Sequence, residues 1–342
     1  MLNTVLGAIS TDVAIDLGTS NTLLYVAGRG VVCNEPSVVA IHEGPNGRRR
    51  IVAVGEAART MEARTPEDIQ AIRPLKDGSI ADYEIAEAML RNRMVRAQGR
   101  RRWVGPRVAM CIPWGTTEVE KRAARESAEA SGAREVFLVE RPVALAVGLG
   151  LPIHQAHGHM VVDFGGGTTS IAVLSLGGVV RGHTLKVGGD AMNQAIAVWI
   201  EEHLGLAIGA PTAEAIKQAL GTASPVAEAT ELRVLGKDVE RAFPREVTLT
   251  RSDVREALAE PLQLIAEAIV ETLDATPPEL AADVAEAGIV ASGGAALLPG
   301  LDRYLCAATG LPVIVSDTAL VDAVIGAGTI LEDATMLVAA AC

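Results

Sequence analysis

The feature that most constrains the fold of this chain is one short pattern that occurs twice. Residues 159–169 read as an apolar strand, an aspartate, three glycines and two threonines, and a second apolar run follows them. Residues 12–22 repeat this order: an apolar strand, Asp16, a glycine, hydroxyl residues and another apolar run. The repetition predicts, in each half of the chain, two buried strands joined by a tight glycine turn.

Each of these turns has the composition of a phosphate-binding site. Glycines allow backbone N–H groups to converge on an anion. An aspartate at the end of the strand would repel a bare phosphate, so the pattern implies a bridging cation, for which Mg²⁺ is the natural choice. One glycine-rich hairpin is usually only a hairpin. Two copies indicate a duplicated clamp around the phosphates of a single nucleotide.

Other segments add candidate contacts for a nucleotide. A third glycine turn, at residues 292–300, follows a predicted strand and opens a predicted helix, whose N-terminus can bind an anion or a base edge. Glu214 and Lys217 lie three residues apart on another predicted helix, where they reach a ribose and an adenine or form an ordinary surface ion pair. Three histidines at 154–159 have no nearby Cys or carboxylate to complete a metal site, so we interpret them as part of a polar loop.

Composition limits the class of protein. The 342 residues suggest two domains, and the 49% of hydrophobic residues with only 3% aromatics favour parallel sheets covered by helices. A net charge of −12 argues against a general nucleic-acid binder. The four cysteines have no CxxC spacing, no run is long enough to span a bilayer, and the N-terminus lacks a signal peptide, so we expect a cytoplasmic protein.

Local signals predict several element boundaries. A strand at 30–33 should end in a turn at Asn34–Pro36, and a helix is expected at 55–64. Thr116 or Thr117 should cap a helix that runs to Ser131. Ser252 should cap a helix over 253–275 that is interrupted near Pro261.

Residues 100–104 form a basic segment with a tryptophan, which we expect to be a loop. It consists of Arg100, Arg101, Arg102, Trp103 and Val104. Arginines meet anionic headgroups while an indole enters the membrane interface, so this loop is a candidate membrane contact. The alternative is a solvated loop whose tryptophan folds back onto the domain.

Several segments together resemble the MreB family of bacterial actin-like rod-shape-determining proteins, within the superfamily of actin, Hsp70 chaperones and sugar kinases. The matching segments are 16–22, 34–41, 71–78, 162–169 and 277–281, and the match runs in register over about residues 12–331. The resemblance implies an α/β, two-lobed actin-like fold with duplicated ribonuclease-H-like domains, two small subdomain inserts and a nucleotide cleft between the lobes. The implied first lobe is 1–156 plus 308–342, with an insert at 34–71, and the second is 157–307, with an insert at 185–250.

The resemblance also implies roles for individual residues around ATP and Mg²⁺. Asp16 and Asp163 would hold the metal through water. The phosphates would lie between Gly18, Thr19, Ser20 and Asn21 on one side and Gly165, Gly166, Gly167 and Thr168 on the other. Glu214 and Lys217 would face the ribose and adenine, and Gly293, Gly294, Ala295 and Ala296 would lie under the base. The family has a glycine where Ala295 stands, a mild change if Ala295 keeps a negative φ.

One departure from the family concerns catalysis. The family has two glutamates before the proline at 142, and the second is taken to orient the attacking water; here the pair reads Glu140-Arg141. Arginine cannot polarise water as a carboxylate does, although it can neutralise a phosphate. Glu140 is a weak substitute, because adjacent residues at a strand end point in different directions. We therefore expect ATP binding with impaired hydrolysis, and at most a weak ATPase.

The function that the resemblance implies is an ATP-binding cytoskeletal protein of the cytoplasm, peripheral at the inner face of the cell membrane. Such a protein forms homo-oligomeric, paired protofilaments on the anionic membrane and works with cell-shape or wall-synthesis membrane proteins. The loop at 100–104 occupies the position of the family's membrane loop, and residues 1–9 form a weak second anchor. Two alternatives stay open: a hydrolysis-deficient regulatory paralogue of a filament protein, and a small-molecule kinase of the same superfamily.

Overall fold

The computed structural model describes residues 12–44, 49–62, 66, 68–98, 105–225 and 230–340, without the side chains of 98 and 338–340. The predicted membrane loop at 100–104, the N-terminal segment 1–9 and Cys342 lie outside the described residues. Their expected roles stay predictions.

The first half of the chain builds a five-stranded sheet around the first repeat. Its order is β10-β9-β1-β2-β3, with β1 antiparallel to β2 and parallel to β9. The strands are β1 (Val13–Leu17), β2 (Asn21–Val26), β3 (Gly30–Pro36), β9 (Arg107–Ile112) and β10 (Glu135–Glu140). Asp16 lies near the carboxyl end of β1, after three buried apolar residues of that strand.

The second half builds a sheet of the same design. Its order is β13-β12-β11-β17-β18, and β11 is antiparallel to β12 and parallel to β17. The strands are β11 (His159–Phe164), β12 (Thr169–Ser175), β13 (Gly178–Leu185), β17 (Ile289–Ser292) and β18 (Val313–Val315). Every residue of β11 and β12 is buried, which explains their nearly continuous apolar sequence. In each sheet the aspartate thus lies near the end of the central strand, which is antiparallel to one neighbouring strand and parallel to the other.

Smaller sheets lie outside the two large ones. One has the order β5-β4-β6, another β14-β15-β16, and β7 pairs with β8. Their strands are β4 (Val39–Glu43), β5 (Arg49–Val54), β6 (Ile69–Ile72), β7 (Leu75–Lys76), β8 (Ser79–Ile80), β14 (Leu206–Ala207), β15 (Glu231–Asp238) and β16 (Pro244–Thr250).

Helices cover both large sheets. In the described part of the chain they are α1 (Glu56–Arg59), α2 (Tyr83–Gln98), α3 (Glu118–Ala130), α4 (Arg141–Gly148), α5 (Gly189–Leu204), α6 (Ala210–Leu220), α7 (Arg251–Ala257), α8 (Ala259–Asp274), α9 (Pro278–Ala287), α10 (Leu301–Thr309), α11 (Asp322–Glu332) and α12 (Ala334–Ala340). A short 3-10 helix, Gly294–Leu297, follows β17.

Helices α4 and α11 lie between the two sheets and join them. A Cβ added to Gly148 would meet Asp322 O at 2.0 Å, and one added to Gly326 would meet Ala144 O at 1.7 Å. The two helix backbones are therefore in direct contact, which only glycine permits. One apolar cluster contains side chains from α4, α11, β1 and β11, so the two sheets share part of their core.

Several local predictions were wrong at element ends. Strand β3 continues through Asn34–Pro36 because these residues pair with β2, so the chain turns at Ser37 instead. The helix expected at 55–64 is a single turn, Glu56–Arg59, followed by turn residues to 62. The cap of α7 is Thr250, not Ser252, because α7 begins at Arg251, directly after β16 ends at Thr250.

The division into lobes remains a proposal, with one boundary moved. Strand β18 pairs in parallel with β17 in the second sheet, whereas a boundary at 307/308 would assign it to the first lobe. Helix α11 packs on β1 and β9 of the first sheet. We therefore propose that the chain returns to the first lobe between Val315 and Asp322.

Candidate functional site

A cavity of about 550 Å³ lies between the two large sheets, at the ends of their central strands. All three predicted glycine turns line it. Of the residues predicted for a nucleotide, the lining includes Asp16, Gly18, Thr19, Ser20, Asn21, Asp163, Gly165, Gly166, Gly167, Thr168, Glu214, Lys217, Gly293, Gly294 and Ala295. Two predicted residues are outside the lining. Ala296 is buried in the apolar core that covers the second large sheet, and Glu140 is also absent from the lining.

The first two turns have the same hydrogen bond and face each other. Gly18 N donates to Asn21 O at 3.0 Å, and Gly165 N donates to Thr168 O at 2.8 Å. A Cβ added to Gly166 would lie 1.9 Å from Ser20 Oγ, so a side chain there would force the turns apart. Glycines and hydroxyl residues therefore line the cavity from both sheets, a composition suited to a polyphosphate.

The third turn packs tightly under the second. Gly293 has φ of +90°, and a Cβ there would lie 2.5 Å from Asp163 Oδ1. Among the described residues other than glycine, positive φ occurs at Asp77, Leu176 and Ala242. Ala295 therefore keeps a negative φ and tolerates its methyl group. The helix predicted after this turn is only the four-residue 3-10 helix, and α10 begins later, at Leu301.

Glu214 and Lys217 line the cavity without pairing with each other. Lys217 Nζ donates to Gly189 O at 2.7 Å, and Glu214 Oε1 accepts from Gln218 at 3.3 Å. Burial lowers the pKa of Lys217, while the charge of Glu214 acts against that shift. The surface-ion-pair interpretation of these two residues is therefore wrong. Their availability for a ribose or a base is compatible with the geometry and stays a prediction.

Arg141 occupies the centre of the cavity wall. As the first residue of α4, it follows the end of β10 directly. Its Nη1 donates to Asp16 Oδ1 at 2.6 Å, and its Nε donates to Asp163 Oδ2. One guanidinium thus joins the two acids of the repeated pattern, which come from different sheets.

These contacts dominate the electrostatics of the site. Burial raises the pKa of Asp16, and the charge of Arg141 acts against that shift. Burial would lower the pKa of Arg141, but the carboxylates of Asp16 and Asp163 outweigh it and hold that pKa above its ordinary value. The pKa of the neighbouring Cys111 is raised well above its ordinary value by burial, so this thiol is not a nucleophile at neutral pH.

The two acids do not fit the metal role predicted for them while Arg141 stays in this position. One oxygen of each carboxylate, Asp16 Oδ1 and Asp163 Oδ2, already accepts a hydrogen bond from the guanidinium. Among the described residues there is also no cluster of three or more His, Cys, Asp or Glu that could hold a metal ion. This includes the histidines at 154–159, of which His157 pairs with Asp283 at 3.2 Å.

Glu140 is separated from this arrangement. It is the N-cap residue of α4 and its side chain makes no capping bond. Burial raises its pKa, and the charge of Lys121 acts against that shift. Glu140 and Arg141 therefore face different neighbours, as the strand-end geometry predicts.

The sequence reasoning missed several polar residues of the lining, among them Asp190 and Asn193. Asp190 is one residue from the start of α5, its backbone N–H donates to Gly166 O at 2.8 Å, and its carboxylate lies 4.0 Å from Arg73 Nη1. Asn193, one turn later on α5, has a buried Oδ1 with no hydrogen-bond partner in the described structure. The Gly188-Gly189-Asp190 sequence before a helix was the available signal. An unpartnered amide oxygen on a residue that lines the cavity fits a ligand with hydrogen-bond donors.

Comparison with known proteins agrees with this architecture. The family model described as MreB/Mbl protein matches residues 10–339. The chain belongs to the MreB/Mbl family. It is 48% identical over 335 residues to the cell shape-determining protein MreB of Escherichia coli K12, covering 97% of this chain and 96% of that protein. It is 43% identical over 322 residues to the cell shape-determining protein Mbl of Bacillus subtilis 168, covering 94% and 96%.

Solved structures support the same assignment. MreB5 of Spiroplasma citri bound to AMPPNP matches with a TM-score of 0.90 and 33% identity, covering 94% of this chain and 96% of that chain. The MamK double helical filament matches with a TM-score of 0.80 at 23% identity, covering 95% and 99%, which speaks for the fold alone. The actin-like fold predicted from the sequence is thereby confirmed. None of the helices in the described part of this MreB/Mbl member is long and apolar enough to cross a membrane.

Proposed function

We propose that this chain is an ATP-binding, filament-forming protein that determines cell shape at the inner membrane surface. The observation that carries the proposal is the cavity between two sheets of equivalent strand order, which glycine turns and hydroxyl residues of both sheets line. Support comes from relatives: one MreB structure is bound to AMPPNP and another to ADP, and proteins with 43% to 48% identity are named for cell shape.

The proposed nucleotide contacts follow from the lining. Thr19, Ser20 and Asn21 bind one side of the phosphates, and Gly165 to Thr168 bind the other. Lys217 and Glu214 contact the ribose and adenine, while the Gly293 turn lies under the base. Asn193 Oδ1, which has no partner in the described structure, accepts a hydrogen bond from the nucleotide.

Self-association is proposed from family membership and from the surface of the second insert. Leu235, Val239 and Phe243, on and beside the β15–β16 hairpin, are 66%, 50% and 74% exposed. Neighbouring apolar side chains at such exposure favour contact with another copy. Membrane attachment is proposed through Arg100 to Val104, and the partners there are membrane proteins of wall synthesis.

Hydrolysis is proposed to be slow. Arg141 stands where the family has a carboxylate, and it is tied to Asp16 and Asp163. A guanidinium cannot accept the proton of an attacking water. The same observation favours a second candidate, a hydrolysis-deficient member that regulates a more active filament protein.

Electron microscopy and sedimentation with ATP, with and without anionic liposomes, test these proposals. Filaments should form with ATP and bind anionic but not neutral liposomes. A protein that stays monomeric in every condition contradicts the filament proposal and favours a regulatory role. Trp103→Ala should reduce liposome binding while filaments still form in solution.

Single-turnover phosphate release measures hydrolysis directly. We expect little release from the wild-type protein and a higher rate from Arg141→Glu, which restores the family's carboxylate. Release from the wild type at an ordinary actin-like rate would contradict the proposal of impaired turnover.

A further inference from the structure

The pairing of Arg141 with two acids has a consequence for how a nucleotide can bind. Asp16 and Asp163 are 3% and 5% exposed, and they approach the cavity from different sheets. The guanidinium of Arg141 lies between them and binds both, with its side chain 22% exposed. A positive charge is therefore built into the position from which a bound cation would meet both acids.

The charge of the site follows by counting these three groups. Two carboxylates and one guanidinium sum to −1, whereas a glutamate at 141 would give −3. Like charges a few ångströms apart repel strongly in a partly buried site. A triphosphate that approaches two bare acids needs a cation between them, but one that approaches the acids with Arg141 between them meets a net charge of only −1 and so less repulsion.

The fold holds the guanidinium in this place. Arg141 is the first residue of α4, directly before Pro142, and the next four residues of that helix are buried. A cation at the positive end of a helix is not stabilised by the helix dipole, so the two carboxylates must supply the favourable interaction. Arginine stays charged in proteins, so this counter-ion is always present.

A divalent cation would have to compete with this arrangement. It would meet two acids that each already accept a hydrogen bond from Arg141 at one oxygen, and it would be repelled by the guanidinium beside them. Displacing Arg141 would also leave a buried charge without its partners, which is costly.

We propose that Arg141 is a built-in counter-ion that replaces the divalent cation, so that this chain binds a nucleoside triphosphate without Mg²⁺. The inference rests on one part of the proposed function, namely that the cavity binds a nucleotide. A purely structural ion pair would make the opposite prediction, because ATP would then still require Mg²⁺ to bind.

Isothermal titration calorimetry with ATP, in excess Mg²⁺ and in excess EDTA, tests the inference on the wild-type protein. The two dissociation constants should agree within about threefold. In Arg141→Glu the constant should be at least about tenfold larger in EDTA than in Mg²⁺. The matched control is Arg122→Glu, the same change of charge on α3 at a side chain that is 80% exposed and pairs with Glu126; it should behave like the wild type.

The outcomes separate the two proposals. No ATP binding in either buffer would overturn the nucleotide function itself. Binding in Mg²⁺ that is lost in EDTA for the wild type would leave the nucleotide function intact and overturn the counter-ion role. The wild-type comparison needs no variant, so it decides the matter even if Arg141→Glu fails to fold.

Discussion

At the scale of single residues, Arg141 dominates the electrostatics of the cavity. The single positive charge of Arg141 offsets half of the charge of two buried acids that lie 125 and 22 positions away in the chain. Glu140, its neighbour in sequence, is outside the cavity lining and interacts with the charge of Lys121. Adjacent positions thus have unrelated roles, because one side chain points to the cavity and the other away from it.

Arg141→Gln should destabilise the protein in EDTA. Removing the guanidinium leaves Asp16 and Asp163 buried without their partner, and breaking a buried ion pair costs about 3 kcal/mol of the free energy of unfolding. Urea denaturation in EDTA measures the loss, and Mg²⁺ should restore part of it by binding the freed acids. An unfolding free energy equal to that of the wild type would contradict the importance of the pair.

At the scale of elements, the first residue of a helix depends on where the preceding strand ends, as at α7. Thr250 Oγ1 accepts from Asp253 N at 3.3 Å, and Asp253 Oδ2 accepts from Thr250 N at 2.8 Å, which completes a capping box. Ser252 lies inside the first turn of α7 and is exposed. Both residue types are good caps, so only the end of β16 decides between them.

Thr250→Ala should lower the free energy of unfolding by about 1 kcal/mol, because the cap is lost. Ser252→Ala is the matched control and should be neutral or slightly stabilising, since alanine is the better helix former. Urea denaturation of both variants measures the difference. Equal losses in the two variants would mean that the cap had been misassigned.

The start of α3 supplies a pH-dependent contribution to stability. The backbone N–H and hydroxyl of Thr117 hold the pKa of Glu120 below its ordinary value of 4.5. The folded state therefore binds the proton more weakly than the unfolded state. The stabilisation by the Glu120 charge is present above pH 4.5 and is lost as the pH falls through the lowered pKa.

Glu120→Gln tests this contribution, because the amide keeps the shape of the side chain without its charge. The wild type should be more stable than the variant near pH 6, and the difference should shrink as the pH falls below 4.5. Denaturation curves between pH 6 and 3 measure it. A difference that stays constant over this range would contradict the assignment.

At the scale of the whole molecule, the two sheets are held together by the contact of α4 with α11. The cavity lies beside this contact, and Arg141 is the first residue of α4. The spacing between these helices therefore also sets the position of the guanidinium relative to both sheets. A substitution that forces the two helices apart should therefore reduce both the stability of the protein and its nucleotide binding.

Gly326→Ala tests the contact between the helices. A Cβ at this position would meet Ala144 O at 1.7 Å, so overpacking should cost about 3 kcal/mol of the free energy of unfolding. Without the contact, alanine in a helix would be stabilising by about 1 kcal/mol relative to glycine, so the sign of the effect is decisive. Gly178→Ala, with no atom within 4 Å of the added Cβ, is the control and should be close to neutral.

Much of the fold and of the site could be predicted from the sequence because its signals are local. Each central strand, its terminal aspartate and its glycine turn are contiguous, and the chain carries the unit twice, so Asp16, Asp163 and the glycines around them could be named in advance. The different positions of Ala295 and Ala296 could not be predicted. Which of the two lines the cavity and which is buried in the core depends on how the 3-10 helix packs.

The repeated strand–aspartate–glycine unit by itself determined that this chain has two sheets and two phosphate-type turns, since hydrophobic periodicity and glycine conformations act over a few residues. Only the tertiary structure decided what the two aspartates bind. Their partner, Arg141, reaches them because β10 ends and α4 begins between the sheets. The same long-range pairing assigned β18 to the second sheet and Thr250 to the cap of α7. Such choices depend on contacts between distant segments, which residue spacing along the chain does not encode.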